Sequence, residues 1–159
     1  MRIVKDGREQ HDDWTLLGAD EPVGDRLVLV PLARWQSASP VVGISPYGLL
    51  VRADDALAAV LAAAGRSPLV AIEFVTFTDG RGYSFARLLR ANGFDGDLRA
   101  VGEVLRDQAF FLARCGFSSF APAAHVTSAD FIAGLADFSG VYQAAADERR
   151  TIARLRHAR

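Results

Sequence analysis

The chain is poor in the residues that tie small proteins together through covalent links or metals. Cys115 is the single cysteine among 159 residues, so no intrachain disulfide can form. The three histidines, His11, His125 and His157, are scattered, and no Cys/His spacing resembles a zinc or iron–sulfur site, so no metal is expected. Excess charge of one sign is missing as well. A net charge of -1 excludes a strongly basic nucleic-acid binder. The only basic run, Arg149, Arg150, Arg154, Arg156 and Arg159, reads as a solvated terminal helix. No apolar run approaches the roughly 20 residues that cross a bilayer. The opening Met1 to Arg8 also lacks an apolar signal core, which leads to the expectation of a soluble cytoplasmic protein.

What is present is an ordinary globular balance. Hydrophobic residues make up 50% and charged residues 23%, which argues against disorder or a coiled coil. A chain of this length fits one domain and buries roughly 70% of its unfolded surface without needing a staple. Lysine is almost replaced by arginine, with Lys5 the single lysine. An arginine in a polar loop presents a planar fork suited to carboxylate, sulfate or phosphate.

Residues 1–25 are polar and interrupted by Gly7, Gly18, Pro22 and Gly24, so they read as a loosely ordered N-terminal arm. Residues 26–143 read as a single α/β domain and 144–159 as a basic helical tail. A first strand runs from Leu27 to Leu32, with Pro31 placing it at an edge or ending it early, and residues 36–47 read as a loop. From Gly48 a repeating grammar follows, in which a short aliphatic run leads through a polar turn into an amphipathic helix closed by glycine. The runs are Leu49 to Val51, Leu69 to Phe74, Leu98 to Val101 and Phe117 to Phe120. Asp54 is the expected cap of the first helix, and Thr127 to Asp130 forms a capping box before the last. The closing glycines are Gly65, Gly93, Gly116 and Gly140. Consecutive βα units with right-handed crossovers predict a mostly parallel sheet of about four to five strands, either curved like half of a βα barrel or opened like a flavodoxin-type sheet.

In both architectures the loops that follow the strands gather at the carboxyl edge of the sheet, where α/β proteins keep their chemistry. Phe77-Thr78-Asp79-Gly80-Arg81-Gly82-Tyr83-Ser84 occupies one such loop. Its glycines let backbone approach a ligand, and the helix behind offers free N–H groups at its positive end. Thr78, Gly80, Arg81 and Gly82 are therefore candidate ligand contacts, with Arg81 as an anion clamp. The alternative is structural locking, with Asp79 capping the helix while pairing with Arg81 or Arg106. Arg106-Asp107-Gln108 opens the next helix and carries the same two readings, ligand contact or cap, for Arg106 and Gln108. Asp79 and Asp107 are the candidates for proton transfer. Glu73 and Glu103 form a further acid–base option that rests on the fold alone.

Arg99 interrupts a buried-looking strand beside Asp97, so either that strand has one wet face or Arg99 is paired inside. Arg87 and Arg90 read as surface partners of Asp95 and Asp97. Cys115 stands beside Arg114 at a helix C-terminus with no histidine near it, and reads as buried and inert. Ser84 and Ser128 read as helix-start residues, and no Ser-His-Asp arrangement is present.

The stretches Phe77 to Arg90, Gly96 to Gln108 and Arg114-Cys115-Gly116-Phe117, with Tyr142-Gln143, resemble an uncharacterised bacterial family that carries a domain of unknown function. The resemblance spans about residues 25–143. Val75 stands where that family more often has proline, and Glu103 where aspartate is commoner. Genes of the family commonly lie beside assimilatory sulfite reductase, and some members are labelled oxidoreductases of sulfite reduction. The resemblance thus implies an accessory or ligand-binding protein of assimilatory sulfate and sulfite reduction, with sulfite reductase or another sulfur-assimilation enzyme as partner. An oxyanion site would lie at the carboxyl edge. The alternatives are a small-molecule enzyme, an oxidoreductase, using the same loops, or an assembly protein whose open sheet edges favour a homodimer. The chain has no signature for a metal, an iron–sulfur cluster or a dinucleotide, so its cofactor is unknown. If electrons pass through it, a bound flavin or a partner must carry them.

Overall fold

Aliphatic runs buried on both faces are what parallel strands between covering layers require, and the structure places each predicted run in one sheet. It is a computed structural model that describes residues 2–18, 21, 26–37, 47–147, 149 and 151–156. In chain order the strands are β1 (Arg2–Lys5), β2 (Arg8–His11), β3 (Thr15–Leu16), β4 (Val28–Pro31), β5 (Gly48–Val51), β6 (Leu69–Phe74), β7 (Asp97–Gly102) and β8 (Ser119–Phe120). The helices are α1 (Leu32–Ser37), α2 (Leu57–Ala64), α3 (Arg81–Ala91), α4 (Ala109–Arg114), α5 (Ser128–Leu135) and α6 (Ile152–Arg156), and a 3-10 turn, Arg106–Gln108, precedes α4. Of the predicted features, Pro22, Gly24, most of the 36–47 loop, Arg150, His157 and Arg159 lie outside the described residues.

Strand order decides between the two expected architectures. The sheet runs β2-β1-β8-β7-β6-β5-β4-β3, with every pair from β3 to β8 parallel. Sequential order with right-handed crossovers puts the helices on one face and leaves no switch point, which rules out the flavodoxin-like alternative. The sheet curls as a half-barrel. On the helix side, Leu49, Val51, Val70, Ile72, Phe74, Leu98 and Ala100 pack with Val60, Phe85, Leu89, Leu112 and Phe131 in the main core.

The described sheet has eight strands rather than four to five, because the predicted loose arm supplies three of them. β1 lies antiparallel against β8, with Val4 opposite Phe120, and hairpins into β2. The chain then crosses from β2 at one edge to β3 at the other through only Asp12, Asp13 and Trp14. Four peptide units span about 15 Å at most, so the curl brings the two edges within that reach. The bridging residues lie on the concave face. Trp14 packs on Leu29, Leu50, Leu69 and Ala71, filling the hollow that the curl creates.

Local signals fared unevenly. Thr127 caps α5 by accepting from the Asp130 N–H at 3.1 Å, as the capping box predicts. The N-cap of α2 is Ala56, not Asp54, while Asp55 accepts from the Arg52 N–H at 2.7 Å and shapes the turn before it. Gly93 and Gly116 take positive φ after their helices, whereas Gly65 stays right-handed and Gly140 lies five residues beyond the end of α5. Pro31 ends β4, which is an inner strand between β3 and β5. In the predicted basic tail, the helix comprises only Ile152–Arg156.

Candidate functional site

The loops after β6, β7 and β8 are stitched to one another at the carboxyl edge. Glu103 N–H donates to the Phe74 carbonyl at 2.7 Å, and Ala123 N–H donates to the Val104 carbonyl at 3.0 Å. Gln108 is the main fastener. Its Oε1 accepts from the Leu105 N–H at 2.8 Å, capping the 3-10 turn, and its Nε2 donates to the Phe77 carbonyl at 3.1 Å. A buried amide satisfied on both ends holds the two loops in register, and Gln108 is buried. It also lies beside Tyr83, whose phenol is pushed up by burial against a smaller opposing effect of the Gln108 side chain.

The glycines of the loop have packing roles. A Cβ on Gly82 would lie 2.5 Å from the Phe74 ring, so this glycine lets α3 sit down on β6. Gly102, at φ +91°, would place a Cβ 2.4 Å from the Phe74 carbonyl oxygen. Gly80 is different, because nothing lies within 4 Å of where its Cβ would be. Thr78 Oγ1 sits 3.2 Å from Thr76 Oγ1 on the exposed side of the same loop.

At the start of α3 the donors form a cradle filled by the chain's own Asp79 carboxylate, the pairing that the locking alternative expected. Asp79 accepts from Arg81 Nε at 2.9 Å, from Arg81 Nη2 at 2.7 Å and from the Arg81 backbone N–H at 3.0 Å. A two-pronged guanidinium contact plus one helix-terminal N–H is the donor set an external oxyanion would seek. The hydrogen bonds from Arg81 hold the Asp79 carboxyl below its ordinary value. Such a group keeps its proton off at neutral pH and is a weak base. Arg106 is committed too, its two Nη atoms meeting the carboxylate of Asp137 at 3.0 and 2.8 Å. Asp107 and Glu103 are exposed, and Glu73 accepts from Arg52 Nε at 2.9 Å.

The structure ties Gln108 through the Phe77 carbonyl to the loop that carries Asp79, Arg81 and Gly82, and it points Arg106 away to the end of α5. Cys115 ends α4 half-buried, and burial pushes its thiol up against the opposing pull of Arg87 and Arg114. Arg90 is not the surface ion partner expected from its spacing. Its guanidinium donates to the carbonyls of Gly116, Phe94 and Gly96 at 2.7 to 2.9 Å and knots three turns together.

A second cluster lies under the arm and is only half legible in the sequence. Arg99 is 3% exposed and donates to Asp12 at 2.7 Å, to Ser119 Oγ at 3.0 Å and to Asp97 at 3.3 Å. Asp97 in turn accepts from Ser118 Oγ at 2.6 Å, Ser119 Oγ at 2.8 Å and Lys5 Nζ at 3.2 Å. Of the two readings of Arg99, the paired interior is the one observed. Asp12, Lys5 and Trp14 went unnoticed because their partners lie 87 or more residues away for the two charges and across the sheet for the indole. Among the described residues no group of acidic, histidine and cysteine side chains could hold a metal ion. No helix among them is long and apolar enough to cross a membrane.

The sequence profile of a family described as "Bacterial protein of unknown function (DUF934)" matches residues 48–153, two thirds of the chain. The chain belongs to that family. No curated protein and no solved structure matches it. The DUF934 match begins at β5 and runs through α5 to the start of α6, later at both ends than the span over which the motifs suggested a resemblance. All the carboxyl-edge residues lie within the DUF934 region, whereas Lys5, Asp12 and Trp14, which close the concave face, lie before it.

Proposed function

We propose that the protein is a non-catalytic accessory factor of assimilatory sulfite reduction that docks on another protein of that pathway through its carboxyl-edge loops. The pathway rests on the family resemblance carried by the Phe77 to Arg90 and Gly96 to Gln108 motifs. The docking mode rests on one observation at the edge itself. Both loop arginines are neutralised by carboxylates of the same chain, while Val75 and Phe77 in the same loop are 65% and 58% exposed. A loop whose charges are satisfied internally and whose apolar side chains face solvent is built to meet another surface. The Asp79 to Arg81 pair supplies neither a free acid nor a free base, which leaves an enzyme at this edge only the solvent-exposed Asp107 and Glu103.

The test replaces Phe77 by Ser on the chromosome of the source bacterium. Growth with cysteine as sulfur source is expected to be normal, growth on sulfate is expected to slow, and co-elution with sulfite reductase is expected to be lost. Full growth on sulfate with unchanged co-elution would exclude this reading. Turnover of sulfite or adenylylated sulfate by the purified protein, abolished by Asp79→Asn, would establish the enzyme instead.

A second reading is favoured by the occupied cradle. An oxyanion of suitable geometry displaces the Asp79 carboxylate from Arg81, whose side chain is 64% exposed, and the loop then reports the presence of that anion. The Asp79 variant described in the Discussion tests this.

A further inference from the structure

The carboxyl edge has an apolar centre and flanks of one charge. Val75 and Phe77, in the loop after β6, are largely exposed. Beside that loop, α2 and α3 leave a hollow of about 210 Å³ lined by Ala53, Leu57, Ser84, Phe85 and Leu88, and Leu88 is 39% exposed. Arg81 lines the same hollow and is bonded to Asp79 of the Phe77 loop, so hollow and loop form one surface. An apolar face of this kind is the centre that an interface buries, and the charges around it form the rim.

Strand order sets what surrounds that centre. Because β6 lies between β5 and β7, its loop is flanked by the loop carrying Asp54 and Asp55 on one side and the loop carrying Glu103 and Asp107 on the other. On the β7 side, the Glu103 N–H donates to the Phe74 carbonyl at 2.7 Å, and Gln108, next to Asp107, donates to the Phe77 carbonyl at 3.1 Å. On the β5 side, the Arg81 guanidinium is pushed up by the hydrogen bond and charge of Asp79, and the Asp54 charge adds to them, so Asp54 stands within electrostatic reach of the loop. Asp54, Glu103 and Asp107 are all exposed.

The charges do not cancel. The cations of these three loops are Arg52, Arg81 and Arg106, and each already meets a carboxylate, Glu73, Asp79 and Asp137 respectively. No cation among the described residues pairs with Asp54, Asp55, Glu103 or Asp107, and Asp55 accepts from the Arg52 backbone N–H at 2.7 Å. What remains on both flanks of the apolar centre is negative. Such a rim repels phosphate backbones and anionic lipid headgroups. Covering it with a neutral surface would strip water from unpaired carboxylates, which is costly unless a cation meets them. We infer that the partner presents a basic face at this edge, with an apolar side chain entering the hollow beside Leu57 and Leu88 and Lys or Arg meeting Asp54, Glu103 and Asp107. This rests on the docking reading proposed above and adds the chemistry of what docks. Complementary charge then steers the encounter and fixes its register.

The experiment is fluorescence anisotropy on the full chain at low salt, with a labelled peptide carrying Leu and Phe among Lys and Arg. The same peptide with Glu for every basic residue and a labelled oligouridine serve as comparisons. Saturable binding of the basic peptide is expected, weakened at least tenfold by Glu103→Lys with Asp107→Lys, less by Glu103→Gln with Asp107→Asn, and by raised salt. These changes fall on exposed side chains, and circular dichroism melts confirm that folding is retained. Asp95→Lys, a charge reversal before β7 at the opposite edge, is expected to leave the affinity within twofold. Absence of saturable binding, equal or tighter binding of the acidic peptide or the oligouridine, or affinity unmoved by both rim variants would overturn the inference. Self-association in sedimentation velocity that the lysine variant abolishes would assign the face to a second copy and overturn it too. Equal binding of both peptides, lost in Phe77→Ser, would remove the basic occupant and leave the docking reading standing. Unchanged growth on sulfate and unchanged co-elution in Phe77→Ser strike the docking reading itself.

Discussion

Replacing Arg99 by Met keeps the aliphatic stem and removes the charge beneath the arm. Asp12, whose side chain is 1% exposed, and Asp97, at 13%, then lose the guanidinium that both carboxylates share. Breaking a buried ion pair by deleting one partner costs about 3–5 kcal/mol, because the remaining charge is left uncompensated. In a domain of this size each kcal/mol lowers the melting temperature by about 2–4 °C, so the expected fall is about 6–20 °C. Thermal and urea unfolding at pH 7 measure it. Asp12→Asn, alone and combined with Arg99→Met, completes a cycle whose coupling energy is expected to be at least about 1 kcal/mol. In a Trp35→Phe background, emission from Trp14 should also shift to longer wavelength as the arm loosens. A loss below about 1 kcal/mol for Arg99→Met, or additive single changes, would refute the claim that this pair fastens the arm across the concave face.

Gly102→Ala is expected to cost about 3 kcal/mol in urea unfolding, because the new methyl meets a backbone carbonyl that cannot move aside and the residue sits at positive φ. Gly80→Ala, into open space, is expected to stay within about 0.5 kcal/mol of the parent. Asp79→Ala empties the cradle on Arg81, so added sulfate or sulfite is expected to raise the melting temperature of that variant by about 2–4 °C more than it raises the parent's. Equal shifts would show that the cradle is not an anion site. Burial pushes the Asp97 carboxyl up, but hydrogen bonds from Ser118, Ser119 and Lys5 and the Arg99 charge outweigh it and hold the group below its ordinary value of 3.8. A depressed carboxyl contributes stability that is complete above the unfolded pKa and is lost as pH falls through the folded one. The urea midpoint of the parent should therefore fall more steeply below pH ~4 than that of Asp97→Asn.

The parallel half of the fold was legible because each βα unit announces itself locally. Leu69 to Phe74 is apolar on both faces, and Thr127 lies three residues before the acid that completes its cap. The N-terminal strands were not legible. β2 is exposed along its length, and β1 gains its meaning from β8, more than a hundred residues away. Register with a distant partner leaves no periodic trace in a four-residue strand. At the candidate site, composition correctly marked Asp79, Arg81, Arg106 and Gln108 as polar residues at helix starts. It offered Asp79 as the partner of Arg81 or Arg106 and Arg81 takes it, whereas the acid that Arg106 takes, Asp137, lies 31 residues away and was not named. Arg90 shows the same limit, since spacing suggests carboxylate partners and the folded turns offer carbonyls instead.

The three-residue link between β2 and β3 has a consequence for how the chain is made. Apart from its own hairpin with β2, β1 finds a neighbour only at Phe120, and Asp12 finds Arg99 only 87 residues downstream. During synthesis β1 thus cannot be seated beside its sheet neighbour until β8 has emerged, since its place in the sheet does not exist before then. Until then the concave face, with Leu29, Leu50, Leu69 and Ala71, stands uncovered while the parallel units assemble one after another. Non-local closure of this kind is slow, and the interval before it is when the nascent chain is most open to aggregation or to capture by a chaperone.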